Sequence, residues 1–323
     1  MSRHSLGAYR IVLLARSGRT LLVEGETDKI VIQRLLVDVD IPANRPVVDT
    51  PALLMDPELR GLGNKAQVEL IAAKVNGTEK FLALVDREWD QFDEETLDIG
   101  SRQDLEPPAL PIVRTMGHSI ENYFFEHDSF GALLRRNFSA HLSTGTLRLL
   151  GEKFPVMCTF ALAYSLAARN CRLISVLDGL ISRGFVDMAD GYFSLHRSFN
   201  DALAGRGVDQ NLVERFAQEV LGRQAHISEK GANAAALKWA CHGHLGTEVI
   251  WTCIAKACQE IGVAEAACDQ IERGMRAEKL RHGADHLATN NHDRRPLDWI
   301  IEWLSGGGNE EVSPPAIVTP PAA

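Results

Sequence analysis

Thr20-Leu21-Leu22-Val23-Glu24-Gly25-Glu26-Thr27-Asp28 is the stretch on which the fold turns. A short apolar run stops at Glu24-Gly25, the pattern of a strand buried on both faces of a parallel sheet. Thr27 or Asp28 can then cap a helix, whose apolar positions Ile30, Val31, Leu35 and Leu36 recur at helical spacing. Downstream, Pro46-Val47-Val48-Asp49 reads as a weaker strand. Gly61-Leu62-Gly63-Asn64-Lys65 is a turn opening a helix with Val68, Ile71, Ala72 and Val75 on one face. Phe81-Leu82-Ala83-Leu84-Val85 is the clearest strand and ends at Asp86. Pro111-Ile112-Val113 is the fourth, running into Thr115-Met116-Gly117-His118. Strands alternating with helices predict an α/β domain over residues 1–130, a mostly parallel sheet with flanking helices.

Beyond it the period changes. Phe160 to Ala168, Leu173 to Ile181, Leu212 to Leu221 and Ala234 to Ala257 read as helices, and no strand is expected there. A mainly α-helical lobe is expected over 131–304, closed by an amphipathic helix carrying Trp299 and Trp303. Residues 305–323, with Gly306-Gly307-Gly308 and two Pro-Pro pairs, are expected to be a disordered tail.

Hydrophobic residues make up 45% of the 323 and charged residues 24%, the balance of a soluble globular protein. No apolar run approaches the ~20 residues that cross a bilayer, and no cleavage site follows Ile11 to Leu14. A cytoplasmic protein without a membrane partner is therefore expected. The six cysteines form no CxxC pair, which argues against a zinc ribbon and for buried thiols in a reducing compartment. Net charge is −9, and between Asp86 and Glu106 nine acidic residues face only Arg87 and Arg102. Phosphate contacts need Lys and Arg, so an acidic chain is not an obvious nucleic-acid binder. Cations bound on carboxylates would reverse the local field.

The acids fall where such a site needs them. Glu24 follows the first strand and Asp28 lies in the first turn of the next helix. Asp86 and Glu88 follow the main strand, where alternation would aim both the same way, and Asp90 comes close behind. Ligands of open parallel sheets bind beyond the carboxyl ends of the strands. Oxygen-only donors suit Mg²⁺ or Mn²⁺. Such ions neutralise the attacking and leaving oxygens of a phosphodiester and activate water; a pair ~3.5–4 Å apart would draw on about four carboxylates. Lys65, at a turn before a helix, is placed to steady the phosphate with that helix's N-terminal N–H groups.

Leu21-Leu22-Val23-Glu24-Gly25-Glu26-Thr27-Asp28 resembles the first motif of Toprim domains, and Asp86-Arg87-Glu88 resembles the second, usually Asp-x-Asp. Met116-Gly117-His118-Ser119-Ile120-Glu121-Asn122-Tyr123-Phe124 resembles a signature of the AriB-like branch, the Toprim effectors of PARIS anti-phage systems. These are related to the nuclease half of overcoming-lysogenization-defect (OLD) proteins. Cys241-His242-Gly243-His244 resembles a Gly-His element of their helical part. The motifs cover about residues 18–128, the helical part following by character alone. The resemblance implies a Mg²⁺-dependent endonuclease in antiviral defence, acting on RNA (tRNA in AriB-like effectors) or DNA, and controlled by an ATPase partner. It implies Glu24 as the central residue, Asp28, Asp86 and Glu88 as further metal ligands, and Glu121 as an outer ligand or a structural hydrogen-bond acceptor. Glu88 departs from the usual Asp.

Plainer readings stand beside these. Glu24 and Asp28 suit a helix macrodipole, and the run from Asp90 to Asp98 suits a solvated loop. Lys65 reads equally as a surface lysine. His118 with Glu121 can simply pin a loop, and His242 and His244 are spaced for structure rather than zinc. Arg273, Arg276, Lys279 and Arg281 suit a solvated helix face as well as a nucleic-acid backbone. Among rival functions, another Toprim phosphotransfer reaction shares the metal site; strand passage would need a catalytic tyrosine from a further domain. A non-catalytic module docking on an ATPase would use the acids for steering alone. A homodimer would let two lobes grip one nucleic acid.

Overall fold

The computed structural model describes residues 4–37, 39, 45–78, 80–98, 111–231, 234–274, 276–289 and 294–306. The acidic stretch from 99 to 106 and the tail beyond Gly306 lie outside them. In chain order the elements are α1 (Leu6–Ala15), β1 (Thr20–Val23), α2 (Glu26–Leu35), β2 (Val47–Asp49), α3 (Asn64–Lys74), β3 (Phe81–Val85) and β4 (Ile112–Arg114). There follow α4 (His127–Phe138), α5 (Thr144–Asn170), α6 (Ile174–Leu177), β5 (Val186–Ala189), β6 (Tyr192–Leu195), α7 (Ser198–Gly205) and α8 (Gln210–Glu229). The last are α9 (Ala234–Ala240), α10 (Gly243–Glu260), α11 (Glu265–Arg273), α12 (Arg276–Thr289) and α13 (Leu297–Ser305). Two compact units result, and they are not the linear partition expected. Met1–Arg87, Ser101–Met116 and Leu287–Ala323 form the first; Glu88–Gly100 and Gly117–His286 form the second.

The first unit is α/β. Its four strands are all parallel, in the order β2-β1-β3-β4. Thr20 pairs with Phe81 and Leu22 with Ala83, so side chains of one alternation share a face. Leu22, Phe81, Ala83, Val85 and Ile112 meet Tyr9 and Leu13 of α1 and Val68, Ile71 and Ala72 of α3 in one core. Leu21, Leu82 and Leu84, of the opposite alternation, are buried as well, as are Val31, Ile32 and Leu35 of α2. Burial on both faces explains why these strands read as unbroken apolar runs. The final helix, expected in the helical lobe, belongs here. Arg19 donates to the Trp303 carbonyl and lies 5.3 Å from the centre of its ring.

The second unit is mainly helical, around α5. Every residue from Phe160 to Ala168 is buried, as befits a helix that is apolar all round. The one hydroxyl of that run without an aromatic ring, on Ser165, is satisfied by the Ala161 carbonyl at 2.7 Å. Packed on α5 are α8, α10, α4 and α9. All six cysteines are buried free thiols of this unit.

Three expectations for this part are corrected. A hairpin is present: β5 and β6 pair antiparallel across Asp190-Gly191, whose φ angles are 51° and 85°. Asp-Gly between two short alternating runs is the signal for such a turn. The helix expected over Leu173 to Ile181 is one turn, α6, and the chain turns left-handed at Gly179 (φ 62°). The single helix expected from Ala234 to Ala257 breaks at Cys241-His242 into α9 and α10. No helix of the described residues is long and apolar enough to cross a membrane.

Candidate functional site

In the first unit, β1 and β3 are neighbours, yet the chain leaves β1 toward β2 on one side and β3 toward β4 on the other. This divergence marks the crevice where open α/β sheets take ligands. The residues just past the two strands are Glu24 and Asp86. Glu24 Oε1 accepts the Asp86 N–H at 2.7 Å. Adjacent strands run about 4.8 Å apart, so this bond spans the gap between strand ends and holds the Glu24 carboxylate over it. Asp86 is steadied from its other side, because the next residue, the buried Arg87, donates its N–H to Thr115 Oγ1 at 2.9 Å. The Thr115 N–H in turn bonds the Val85 carbonyl at 3.0 Å, extending the ladder past β4.

Asp28 is 9% exposed and its Oδ2 accepts the Gly25 N–H at 2.9 Å. The N-cap of α2 is thus Gly25 rather than Thr27 or Asp28. Asp28 reaches back from the third helical position and satisfies an N–H that the helix cannot. A capping role accounts for this carboxylate as well as metal ligation does. Lys65, in the first turn of α3, donates from Nζ to the Arg87 carbonyl at 3.4 Å. The ammonium therefore reaches the segment that carries Asp86. Asp49, at the end of β2, is a carboxylate the sequence did not single out. It is buried and takes the Tyr9 hydroxyl at 2.9 Å and Arg16 at 2.5 Å, a structural triad.

Glu88 does not follow the expected alternation. β3 ends at Val85 and Glu88 is left-handed at φ 58°, whereas alternation requires extended backbone. That conformation is rare for Glu and costs about 1–2 kcal/mol. Its N–H donates to the His118 carbonyl at 2.7 Å, within the second unit. The side chains of Glu88 and Asp90 are exposed. The Asp90–Asp98 run is only partly a solvated loop. Leu97 is buried, and Glu94 binds Arg169 at 2.9 Å and Arg223 at 2.8 Å.

Two further motifs, some 120 residues apart, meet inside the second unit. The His118 N–H bonds the Trp239 carbonyl at 2.8 Å. Asn122 Nδ2 bonds the carbonyls of Lys238 (2.5 Å) and Cys241 (2.9 Å), which the helix break leaves without helical partners. The His118 and His242 rings are 4.5 Å apart, and Trp89 lies edge-on to His118 at 4.3 Å while its Nε1 donates to the Ala240 carbonyl at 3.1 Å. His242 caps α10, accepting the Leu245 N–H at Nδ1. Desolvation by burial, reinforced by nearby His244, pushes its pKa down to about 4, so the ring is neutral near pH 7. Glu121 is half-buried against the start of α10. A Cβ added at Gly243 would lie 2.8 Å from its Oε2 and 1.7 Å from Ser119 Oγ. Its carboxylate thus sits by a helix N-terminus, where the macrodipole favours negative charge.

His244 faces elsewhere, bonding Asp178 at 2.7 Å and Glu248 at 3.4 Å. Its i,i+4 spacing from Glu248 was the readable signal, hidden by the more obvious pairing of His242 with His244. The basic patch is not a single solvated face. Arg273 ends α11, and the half-buried Lys279 donates to the carbonyls of Ile271 (2.6 Å) and Glu272 (3.0 Å) while lying 4.3 Å from the centre of the Trp251 ring. Burial lowers its pKa to about 8.

No protein-family model matches this chain, and no curated protein matches it either.

Proposed function

We propose that this chain is a Toprim nuclease of the AriB-like kind, hydrolysing phosphodiester bonds in RNA, with tRNA the first candidate, under the control of an ATPase partner. One observation carries the reading: Glu24 Oε1 and the Asp86 N–H bonded at 2.7 Å where the paths from β1 and β3 diverge. Glu24 and Asp86 would hold the cation, and Asp28, in the first turn of α2, would be a further ligand. The donors are all oxygen, which fits Mg²⁺ or Mn²⁺ rather than zinc. Such an ion, when bound, neutralises phosphoryl charge and lowers the pKa of a coordinated water. Glu24, held in place by the Asp86 amide, is preorganised both to bind and to accept a proton. Lys65 brings a positive charge to the Asp86 segment and would orient a non-bridging phosphate oxygen, beside the N–H groups that open α3.

The test uses the full chain with labelled tRNA and plasmid DNA, in Mg²⁺ and in EDTA. Metal-dependent products from the wild type, reduced at least about 100-fold in Glu24→Gln, are expected. Gln keeps the acceptor for Asp86 and the shape of the side chain, so thermal unfolding should stay unchanged. Full cleavage by a folded Glu24→Gln protein would falsify the site. A stable complex without products would leave a binding module.

A further inference from the structure

The second unit holds a group of metal-ligating side chains that the proposed reaction does not use. We propose that Asp178, His244 and Glu248 form a separate site for a d-block divalent ion of the Zn²⁺ or Co²⁺ class. Asp178 Oδ1, His244 Nε2 and a Glu248 oxygen all lie within 4.8 Å of one another. Nε2 is 2.7 Å from Asp178 Oδ1 and 3.4 Å from Glu248 Oε1. Bonds of about 2.0–2.1 Å around a tetrahedral zinc put neighbouring donors about 3.3 Å apart. The His244–Glu248 spacing matches this value and the His244–Asp178 spacing is shorter, so side-chain adjustment around His244 would bring the three donors onto one face of that tetrahedron.

The supports are in place. His244 and Glu248 are one turn apart on α10, whose inner positions Leu245, Val249 and Ile250 are fully packed. Asp178 comes from the left-handed turn after α6. Arg206 pins that turn by donating to the Asp178 carbonyl at 2.8 Å, and the Gly179 N–H bonds Glu248 Oε2 at 3.0 Å. The second Glu248 oxygen is thereby fixed from behind, as partners outside a coordination shell commonly orient its ligands. Two carboxylates to one imidazole is a mixed donor set that an oxygen-seeking Mg²⁺ does not need and zinc accepts. The His244 and Asp178 side chains are 34% and 61% exposed, so water can fill the remaining position. An ion there would staple the Asp178-Gly179 turn to the first two turns of α10.

The inference is independent of the nuclease reading, and the test separates the two. Chelator-treated full chain is titrated with Co²⁺ and then Zn²⁺, following cobalt d–d absorption and the thermal midpoint. One ion per chain and a raised midpoint are expected, retained in Glu24→Ala. His244→Ala and Asp178→Asn should each weaken binding by at least about tenfold. The exposed Asp178 side chain makes Asp178→Asn the variant that keeps its fold if His244→Ala does not. Absence of binding by the wild type, loss of the ion in Glu24→Ala, or wild-type affinity in folded Asp178→Asn overturns the proposal; a histidine–carboxylate hydrogen bond would then account for the cluster.

Discussion

Glu24 and Asp49 end neighbouring strands, yet their surroundings give them different chemistry. Asp49 is enclosed, with Tyr9 and Arg16 taking up its oxygens. Glu24 is half-buried and tied to a main-chain amide across the switch between strands. Removing Asp49 leaves a tyrosine hydroxyl and a guanidinium short of their shared acceptor, so Asp49→Ala should lower stability by about 3 kcal/mol. Denaturant unfolding would measure it; a loss below about 1 kcal/mol would mean that Arg16 turns to solvent and the triad contributes little.

The break between α9 and α10 shows how an element can be ended by a distant partner. Ala234 to Ala257 has the composition of one helix, and nothing local forbids it. His242 caps the new start, Asn122 takes up the Lys238 and Cys241 carbonyls, and Gly243 admits Ser119 to a distance no side chain would allow. The glycine is needed here for closeness, since its φ is not positive. Gly243→Ala should cost about 1–3 kcal/mol through overpacking. Ser119→Ala in the same chain should recover part of that, a coupling that a double-mutant cycle would read. Strictly additive losses would show that the close approach is not what the glycine serves.

Each unit builds its own core, and each core encloses a tyrosine: Tyr9 in the first, Tyr164 in the second. Burial raises both pKa values, helped by Asp49 for Tyr9 and by Glu248 for Tyr164. Unfolded tyrosine ionises near pH 10, and the folded chain resists this. Raised pKa values give stability that is complete below about pH 10 and lost as pH climbs beyond it. Denaturant midpoints should therefore fall from about pH 10 upward, and the fall should be shallower in Tyr164→Phe. Phenolate absorbance from these two rings should emerge only with unfolding. Early, reversible titration of all four tyrosines in the native protein would contradict their burial.

The parallel sheet was legible in the sequence because double burial demands unbroken apolar strands, and Thr20-Leu21-Leu22-Val23 and Phe81 to Val85 are such runs. That Glu24 and Asp86 close two of those strands was equally legible, since each directly follows its run. Sequence alone did not reveal that Glu88 leaves the strand direction or that Asp178 meets His244 and Glu248. It also missed the helix break at His242. Those outcomes depend on contacts between residues far apart in the chain and on left-handed turns at Glu88 and Gly179, where local propensity carries no information about the partner. Apolar periodicity is a local signal and sets the elements; the direction of a polar side chain is settled by whichever donor or acceptor the packed fold brings to it.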